Sequence, residues 1–298
     1  MKVTIFGATG LVGSELTAYF SAHHDTVIPL SSAECDITNA KAVERILAEQ
    51  KPDLVINCAV ILDVDKCEAD PKLCYAVNRT GPTNIFRGIA LAGIKPIFVQ
   101  ISSSETFGRV HEGEFDSMGY KEDDVQKPVS VYQKSKKEAE DILIKSVKER
   151  PNALKALYIA RAGWLYGEAR ATFVDKFYAL LQSKEPLTVV KDQWRSPTWT
   201  RDFAQGLYDL VQKQYPSGVY HIVNEVKPGE ATTIDVIEEI EKFLDSRAAY
   251  PKKTMVAFKD FFKIPRAPSN VLKNTKLPLL RPWRDALREY LKTKYPRS

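Results

Sequence analysis

Short apolar runs and longer amphipathic segments alternate through the first 165 residues of the chain. The runs, such as Val3, Ile5 and Phe6, are typical of buried strands, whereas apolar positions three or four residues apart indicate helices. Strands are predicted at Thr26–Leu30, Leu54–Cys58, Pro96–Ser102 and Ala156–Ala162, and helices at Ala40–Glu49, Tyr132–Arg150 and from Lys66 to Ala92 with a break at Gly81-Pro82. Alternation of this kind predicts a parallel sheet with helices on both faces.

The alternation loosens after residue 165. Helices are predicted at Ala171–Gln182, Thr200–Gln212, Thr233–Ser246 and after Pro282, and one strand at Val219–Val223. The prolines between residues 265 and 282 interrupt any longer element.

Composition narrows the class of protein. The chain has 298 residues, of which 44% are hydrophobic, enough for one large core and a smaller lobe. No apolar run approaches the ~20 residues of a membrane span, and we expect no signal peptide because the first strand begins at residue 2. The four cysteines show no C-x-x-C spacing, so we expect reduced thiols in a cytoplasmic protein rather than a metal site.

The net charge of +5 is unevenly placed, because basic residues outnumber acidic ones in the last fifty residues. No nucleic-acid-binding motif accompanies this charge, which argues against nucleic acid as a partner. A solvated basic face and a surface that attracts an anionic small molecule are both compatible with it. The four histidines stand in no metal-ligand pattern, so no metal site is predicted.

Three glycines follow the first strand at the spacing G-x-x-G-x-x-G: Gly7, Gly10 and Gly13. Gly7 permits a tight turn, Gly10 lets a pyrophosphate approach the backbone, and Gly13 lets the following helix pack close to the strand. The N-terminus of that helix offers free N–H groups and the positive end of its dipole to phosphates. The stretch predicts a dinucleotide site, against the alternative of a strand–helix turn without a ligand.

The predicted fold class is therefore α/β, a Rossmann-type doubly wound parallel sheet with a smaller, mixed α/β C-terminal lobe that binds substrate. Residues 1–165, joined by parts of 198–225, are expected to form the dinucleotide-binding domain, and residues 166–298 the substrate-binding lobe. Ligands of such sheets bind in the crevice at the carboxyl ends of the strands.

The end of the second strand indicates which dinucleotide binds. An acidic residue about 20 positions past the glycines would bond the ribose 2′-hydroxyl of NAD. The strand instead runs into Ser31 and Ser32, with no carboxylate at its end to repel a 2′-phosphate and two hydroxyls that could bond it. We therefore predict NADPH, with NADH as the alternative. Asp36 and Ile37 are expected to bracket the adenine, unless they form a plain loop before the next helix.

Hydroxyls cluster at the end of the fourth strand, where Ser103 and Ser104 reach the mouth of the predicted crevice. Tyr132 and Lys136 stand four residues apart at the start of a helix, so their side chains face the same way. A phenol has a pKa of about 10, and an adjacent ammonium favours the phenolate and lowers that pKa. We predict Tyr132 as the general acid toward a carbonyl oxygen, with Lys136 tuning it and holding the nicotinamide ribose.

A second pair with the same spacing, Tyr290 and Lys294, lies near the C-terminus. A chain with 13 tyrosines and many lysines is expected to contain such a pair by accident. Only Tyr132 follows a glycine loop and a serine-ended strand, so its place in the chain favours the first pair.

With these motifs the chain resembles the extended short-chain dehydrogenase/reductases, and within them the dTDP-4-dehydrorhamnose reductases and related nucleotide-sugar reductases. The resemblance runs nearly end to end. Beyond the glycine loop it is carried by Lys51–Ala59, Val64–Glu68, Val77–Pro82, Val131–Lys136, Arg161–Gly167, Asp192–Gln193, Ser196–Thr198, Val271–Leu277 and Arg281–Leu287. The stretch that begins at Val64 and the two C-terminal segments are specific to this subgroup.

The resemblance implies reduction of a nucleotide-diphosphate sugar that bears a 4-keto group. Hydride passes from the nicotinamide to C4, Tyr132 protonates the new oxyanion and Ser103 polarises the carbonyl. The motifs and the resemblance together assign cofactor binding to Gly7, Thr9, Gly10, Leu11, Val12, Gly13, Ser31, Ser32, Asp36, Ile37, Cys58, Ala59, Val60, Asn78, Tyr132 and Lys136. Substrate binding is assigned to Val64, Asp65, Ser104, Glu105, Trp164, Arg195 and Arg266, with Phe173 and Asn270 as looser candidates.

The resemblance also bears on metal and assembly. Glu15 and Glu185 match acidic positions that some family members use at a magnesium-bridged dimer interface. The acid expected near the C-terminus is replaced by the stretch Leu291–Thr293, which argues against magnesium. A homodimer stays an open alternative.

Three departures from the family pattern keep other functions in view. The stretch Ser103–Glu105 stands where Thr-Asp-Tyr is usual, Arg195 where glycine is usual, and Val60–Asp63 where alanines are usual. The Ser104-Glu105 pair is similar to that of UDP-glucuronate decarboxylases and several epimerases, which retain NAD and recycle its hydride. The regulatory β subunit of methionine adenosyltransferase resembles the same family and carries the Tyr and Lys, so a non-catalytic role is a third hypothesis.

Overall fold

The central feature of the fold is a parallel sheet. The computed structural model describes residues 1–108, 119–183, 185–245 and 250–296. Its strands are β1 (Lys2–Phe6), β2 (Thr26–Leu30), β3 (Leu54–Asn57), β4 (Ile97–Ser103), β5 (Ala156–Ala162), β6 (Trp164–Tyr166), β7 (Leu187–Val190), β8 (Pro197–Trp199), β9 (Gly218–Ile222) and β10 (Lys253–Val256). Six of them form the sheet in the order β2-β1-β3-β4-β5-β9, all parallel. Their carboxyl ends therefore lie along one edge.

The helices follow the alternation expected from the sequence. They are α1 (Leu11–Ala22), α2 (Ala40–Gln50), α3 (Val64–Ala69), α4 (Pro71–Tyr75), α5 (Gly81–Leu91), α6 (Val131–Glu149), α7 (Phe173–Gln182), α8 (Thr200–Gln212), α9 (Thr233–Asp245), α10 (Phe258–Phe261) and α11 (Trp283–Lys294). Strands β2 and β5 and helix α8 have the predicted bounds, and Ser246, the predicted end of α9, lies outside the described residues. No helix in the described ranges is long and apolar enough to cross a membrane.

Helices cover both faces of the main sheet. On one face α1 and α8 bury Leu16, Phe20 and Leu207 against the strands. On the other face α2 and α5 contribute Leu47 and Ile85 to a second cluster of buried residues. Two separate cores on opposite faces are the mark of a doubly wound sheet, and the predicted fold class is confirmed.

The predicted helical tract from Lys66 to Ala92 divides in two places. Its backbone breaks at Asp70 (φ −133°, ψ 79°), whose side chain accepts the backbone N–H of Leu73 and so caps α4. Gly81 and Pro82 stand in the first turn of α5. A π-helical turn at Ala76–Thr80 runs directly into α5, and Thr80 and Gly81 keep right-handed helical dihedral angles. An element boundary therefore falls at Gly81-Pro82 as predicted, but the chain stays helical there, because the first turn of a helix tolerates a residue without an N–H donor.

The C-terminal part of the chain packs around aromatic side chains. Strand β6 pairs with β8 and β7 with β10, while α7, α9 and α11 enclose Trp199, Trp283 and Tyr290. These small strands have three or four residues each, too few for a readable alternation, and the pattern missed them. Strand β9 belongs to this half of the sequence but pairs with β5 in the main sheet.

The second Tyr-Lys pair has a structural role in this lobe. The Tyr290 hydroxyl donates to Asp175 Oδ1 at 2.9 Å, and Lys294 Nζ lies 2.8 Å from the same oxygen. Tyr295 adds a third donor at 2.7 Å. The pair therefore ties α11 to α7 and is separate from the chemistry predicted for Tyr132.

Candidate active site

The carboxyl ends of the strands open into a cleft with a volume of about 990 Å³. The predicted site residues that line it are Gly7, Thr9, Gly10, Leu11, Val12, Gly13, Ser32, Asp36, Ile37, Cys58, Ala59, Val60, Val64, Ser103, Ser104, Glu105, Tyr132, Lys136, Trp164, Phe173, Arg195, Arg266 and Asn270. Ser31, Asp65 and Asn78 stand outside this lining. The fold therefore brings the two ends of the chain and both halves of the predicted site to one cleft.

The glycine loop is shaped by close backbone contacts. Gly7 has a φ of +74° and donates its N–H to the Leu30 carbonyl at 2.8 Å. A Cβ on Gly7 would lie 2.6 Å from the Ala59 nitrogen, and one on Gly13 would lie 2.2 Å from the Gly7 oxygen. Gly10 precedes α1 without a side chain to occupy the first N–H groups of the helix. Those donors face the cleft as a cradle for phosphate.

The turn after β2 carries a carboxylate, contrary to the expectation from the sequence. Glu34 folds back so that its Oε2 accepts the backbone N–H of Ser31 at 2.6 Å, and the Ser31 hydroxyl also bonds it. These hydrogen bonds hold the pKa of Glu34 below its usual value. Ser32 lines the cleft, but the donors of Ser31 are occupied. The prediction of a strand end without a carboxylate considered only the residues up to Ala33. It missed Glu34 because the turn brings that side chain back to Ser31.

The predicted adenine-binding stretch is both a cleft wall and a helix cap. Asp36 and Ile37 line the cleft, and Asn84 donates to the Ile37 carbonyl at 2.9 Å. Asn39 caps α2 by accepting the N–H of Ala42 at 3.2 Å. A place for the adenine and a loop that caps α2 are therefore compatible, because Asp36 and Ile37 line the cleft whereas Asn39 is the cap.

The three predicted catalytic side chains meet at the end of β4. The Ser103 hydroxyl is close enough to the Tyr132 hydroxyl to lower the pKa of that phenol. Lys136, one turn along α6 from Tyr132, donates from Nζ to the Ile101 carbonyl at 2.7 Å. Tyr132 and Lys136 are 4% and 3% exposed, so what little of each is accessible faces the cleft.

The ionisation of this group differs from the expectation. Burial raises the pKa of Tyr132 well above its ordinary value, and the Ser103 hydroxyl offsets only part of that rise. Burial also lowers the pKa of Lys136 to about 8, with the Glu140 carboxylate as the largest opposing influence. The predicted lowering of the Tyr132 pKa is therefore absent from this structure, because desolvation penalises the phenolate. Tyr132 holds its proton, which is the state that a proton donor requires.

Asn78 acts behind the cleft rather than in it. Its Nδ2 donates to the Ile61 carbonyl at 3.1 Å and to Ser135 Oγ at 3.2 Å, and its Oδ1 accepts the Ile61 N–H at 2.9 Å. The side chain is 1% exposed. In this structure Asn78 fixes the loop after β3, whose Cys58, Ala59 and Val60 line the cleft. Its direct contact with the cofactor stays a prediction.

Glu105 joins the two halves of the cleft. Its Oε1 accepts from Asn270 Nδ2 at 2.5 Å, and its Oε2 accepts from Gln133 Nε2 at 2.8 Å. Gln133 belongs to α6, whereas Asn270 lies in the C-terminal part of the chain, so this carboxylate is held from both sides. A carboxylate with two such donors is rigid, and its charge further raises the pKa of Tyr132.

Arg195 is buried rather than exposed on a surface. Its guanidinium donates to the carbonyls of Trp194 at 2.9 Å, Ala267 at 3.0 Å and Pro268 at 3.2 Å, and lies 4.0 Å from Glu105. Burial lowers its pKa. Two of its three hydrogen bonds therefore fasten residues 267 and 268.

Arg266, the neighbour of that fastened segment, lines the cleft. Its guanidinium lies over the Phe262 ring at 4.8 Å and 3.7 Å from Asp65 Oδ2. Among the described residues, its buried Nε has no hydrogen-bond partner, and neither has Oδ1 of Asn270. Asp65 itself is 74% exposed at its side chain, so its predicted place in the substrate site becomes a contact to Arg266 from outside.

Of the two acidic positions expected at a magnesium-bridged interface, Glu15 forms a hydrogen bond within the chain. Glu15 accepts from the Thr200 hydroxyl at 3.3 Å, and burial raises its pKa. Within the described ranges, no group of three or more His, Cys, Asp or Glu side chains is placed to hold a metal ion.

Over residues 1–295 the chain matches the family profile described as RmlD substrate binding domain. The chain belongs to this family. A dTDP-4-dehydrorhamnose reductase of Mycolicibacterium smegmatis is 31% identical over 296 residues, which cover 97% of this chain and 84% of that protein. The spore coat polysaccharide biosynthesis protein SpsK of Bacillus subtilis is 29% identical, with 97% and 96% covered. The resemblance to the dTDP-4-dehydrorhamnose reductases of the extended short-chain dehydrogenase/reductases is confirmed.

Solved structures agree with this assignment. A dTDP-4-dehydrorhamnose reductase from Clostridium acetobutylicum has a TM-score of 0.84 and 31% identity, with 99% of both chains covered. The same enzyme from Bacillus anthracis, in complex with NADP, has a TM-score of 0.83 and 25% identity, with 98% of this chain and 99% of that one covered.

Several residues that line the cleft were not predicted from the sequence. Phe262 and Lys176 line the cleft but stand in no motif. The rings of Trp164 and Phe173 stack 3.4 Å apart, an arrangement that no spacing between residues nine apart predicts. These residues come from β6, α7 and the position after α10, which only tertiary packing brings to the carboxyl edge of the sheet.

Proposed function

We propose that the chain reduces the 4-keto group of a nucleotide-diphosphate 6-deoxy sugar with NADPH, as a dTDP-4-dehydrorhamnose reductase does. The observation that carries the proposal is that Ser103, Tyr132 and Lys136 line the cleft together at the end of β4. The family assignment and the names of the relatives support the reaction class. The NADP complex of the Bacillus anthracis relative supports the cofactor.

The residues of the cleft fit a dinucleotide. The Cβ-free cradle of Gly7, Gly10 and Gly13 suits a pyrophosphate, and Lys136 suits the ribose next to the nicotinamide. When bound, NADPH supplies the hydride. Ser32 is the hydroxyl in reach of a 2′-phosphate, whereas the Glu34 carboxylate must turn away from Ser31 to admit a second anion.

Proton transfer falls to Tyr132. Ser103 and Tyr132 present two hydroxyls to a carbonyl oxygen, which polarises the carbonyl before hydride arrives. Tyr132 then donates its proton to the oxyanion at C4 of the sugar. The Lys136 ammonium stabilises the resulting phenolate until solvent reprotonates it.

The nucleotide end of the substrate is proposed to lie along the C-terminal wall. Arg266 lines the cleft, and its planar guanidinium suits a diphosphate. The stacked pair of Trp164 and Phe173 forms an apolar wall for the sugar or the base. Glu105 is held by Gln133 and Asn270 in the position where the family pattern has tyrosine, so it shapes the sugar pocket.

The test is turnover of a panel of dTDP- and UDP-linked 4-keto-6-deoxy sugars with NADPH, followed by cofactor absorbance and mass spectrometry of the sugar. The expected result is stoichiometric cofactor oxidation with formation of the 4-hydroxy sugar. NADPH binding without oxidation on any keto sugar would favour the regulatory role. Epimerised or decarboxylated sugar without net cofactor consumption would favour an enzyme that retains NAD.

A further inference from the structure

A buried carboxylate follows the catalytic pair along α6. Tyr132, Lys136 and Glu140 are spaced four residues apart and share one face of the helix. Glu140 is 1% exposed and stands outside the cleft lining. It is therefore behind the catalytic side chains, where substrate and cofactor do not reach it.

Glu140 is held by donors from two neighbouring segments of the sheet. Arg161 of β5 donates from Nε at 3.1 Å and from a terminal nitrogen at 2.7 Å. Ser102 of β4 donates to Oε1 at 2.5 Å, and Gln126 donates to Oε2 at 3.2 Å. Ser102 directly precedes Ser103, so the carboxylate links the strand that carries Ser103 to the helix that carries Tyr132 and Lys136.

Arg161 is fixed in turn on its far side. Its other terminal nitrogen donates to the Glu122 carbonyl at 2.9 Å and lies 3.4 Å from His221 Nε2. The guanidinium also lies over the Phe107 ring at 5.0 Å. Arg161 and Glu140 thus form a charge pair inside the core rather than a surface bridge.

Such a pair is weak evidence for stability. Desolvation of two charges offsets much of their attraction, and an apolar pair of similar volume is often as stable. What singles out this pair is its neighbour, the buried Lys136 ammonium, whose direct acceptor at 2.7 Å is the neutral Ile101 carbonyl. The groups that face Lys136 from the surrounding elements are Tyr132 and Glu140 on its own helix and the thiols of Cys58 and Cys74.

Glu140 is the charged member of that set near neutral pH. Burial raises the pKa of the Cys58 thiol to about 12, and Tyr132 holds its proton. For Glu140, burial raises the pKa, but the bonds from Arg161, Ser102 and Gln126 outweigh it and keep the carboxylate ionised.

We propose that Glu140, clamped by Arg161, is a positioning residue that keeps the Lys136 ammonium charged and held beside Tyr132. The inference rests on the proposed function, since the cofactor and Tyr132 are what Lys136 serves. It assigns the charge pair to the catalytic machinery, although neither member touches the cleft.

The charge on Glu140 makes the inference testable. Glu140→Gln removes the negative charge, so Lys136 loses its proton at a lower pH. Arg161→Gln removes the counter-charge that keeps the buried carboxylate ionised, so Glu140 takes up a proton and Lys136 again loses its own at a lower pH. A purely structural pair would lower the stability of both variants and leave the pH at which Lys136 titrates unchanged.

The experiment measures the dissociation constant of NADPH against pH by fluorescence, for the wild type and both variants. NADPH affinity should fall at high pH as Lys136 loses its proton, which gives the pH profile an alkaline limb. A Lys136→Met variant should lack this limb. The limb should move down by about one pH unit in Glu140→Gln and in Arg161→Gln alike. A limb that stays in place or moves up in Glu140→Gln would overturn the proposal.

The wild type alone provides a second test in case a variant does not fold. Its NADPH affinity must show a limb near the pKa of about 8 set by burial and Glu140, and a flat profile from neutral pH through that value overturns the proposal. The assay needs no keto sugar, so its outcome is separate from that of the proposed function. Absence of NADPH binding would defeat the proposed function, and the role of Glu140 with it.

Discussion

At the scale of single residues, the phenol of Tyr132 is the group whose loss is most informative. Tyr132→Phe removes the proton donor and leaves the ring in place, so we expect turnover to fall about 10²–10⁴-fold while NADPH affinity stays close to that of the wild type. Steady-state kinetics and fluorescence titration measure the two effects. The chain supplies its own control in Tyr290→Phe, which removes hydrogen bonds to Asp175 and Gly167 and should lower stability without changing kcat. Retention of more than about a tenth of wild-type turnover in Tyr132→Phe would refute the assignment.

Glu34 makes a second prediction at this scale, on cofactor preference. The Glu34 carboxylate already accepts hydrogen bonds from the Ser31 donors. A 2′-phosphate at this turn would therefore lack these donors and be repelled by a like charge. Glu34→Gln should therefore tighten NADPH by about threefold to tenfold at low salt and change NADH little. Fluorescence titration with both nucleotides is the measurement, and Glu44→Gln, on the exposed part of α2, is the matched control. Equal changes for both nucleotides would exclude a contact between residue 34 and the phosphate.

Arg195 gives a third prediction, in which it acts on substrate binding through Arg266. Because its guanidinium fastens the carbonyls of residues 267 and 268, Arg195→Ala should release Arg266 from its place at the cleft. We expect the KM for the nucleotide sugar to rise at least about tenfold, equivalent to about 1.4 kcal/mol, with NADPH affinity unchanged. Arg195→Lys should recover only part, because one ammonium cannot reproduce a planar fork. Arg45→Ala, which removes only a surface pair with Glu49, is the control. An unchanged KM in Arg195→Ala would mean that Arg266 is positioned without it.

At the scale of elements, the turn from β1 to α1 separates packing from binding within one motif. A Cβ at Gly13 would meet the Gly7 oxygen at 2.2 Å, whereas one at Gly10 would meet it at 3.3 Å. Gly13→Ala should therefore lower the free energy of unfolding by about 1–3 kcal/mol through forced backbone movement. Gly10→Ala should leave stability nearly unchanged and weaken NADPH, because its methyl group stands where phosphate approaches. Denaturant unfolding and NADPH titration of both variants measure this, and equal loss of stability in the two would contradict it.

Helix α6 is the element in which local sequence signals and catalysis coincide. Ser130 and Gln133 form a capping box at its start, and Gln133 also donates to Glu105 in the cleft. The cap therefore sets where the helix begins, and the helical repeat then places Tyr132, Lys136 and Glu140 on one face. One helix accordingly carries the proposed proton donor, its ammonium neighbour and the buried carboxylate.

At the scale of the whole molecule, Asp175 links the C-terminal helix to the substrate lobe and makes stability depend on pH. Burial would raise its pKa, but the bonds from Lys294, Thr172 and Tyr295 outweigh it and lower the pKa to about 2 from an ordinary 3.8. A group with a depressed folded pKa stabilises the protein above its unfolded pKa, and this contribution is lost as pH falls through the folded value. Unfolding between about pH 4 and pH 2 should therefore be less steep in pH for Asp175→Asn. Asp209→Asn, which removes a surface pair with Lys213, should keep the wild-type slope, and identical slopes in all three proteins would exclude the link.

The sequence by itself determined the features that depend on short stretches of chain. The repeat of apolar residues specifies strands and helices because it follows the periods of the backbone, and so the fold class and the bounds of β2, β5 and α8 could be read from it. The spacing of Gly7, Gly10 and Gly13 and that of Tyr132 and Lys136 are local in the same sense. Their geometry is complete within one turn or one helical repeat.

Tertiary structure decided whatever depends on burial or on partners far along the chain. The raised pKa of Tyr132 comes from desolvation, which no spacing reveals. Arg195 is buried because residues 267 and 268 fold over it, and Asn78 faces Ile61 rather than the cleft. The pairing of Glu140 with Arg161 joins a helix to a strand across the core. In each case a side chain's chemistry is set by its dielectric surroundings and its hydrogen-bond partners, and the packing of separate elements supplies both.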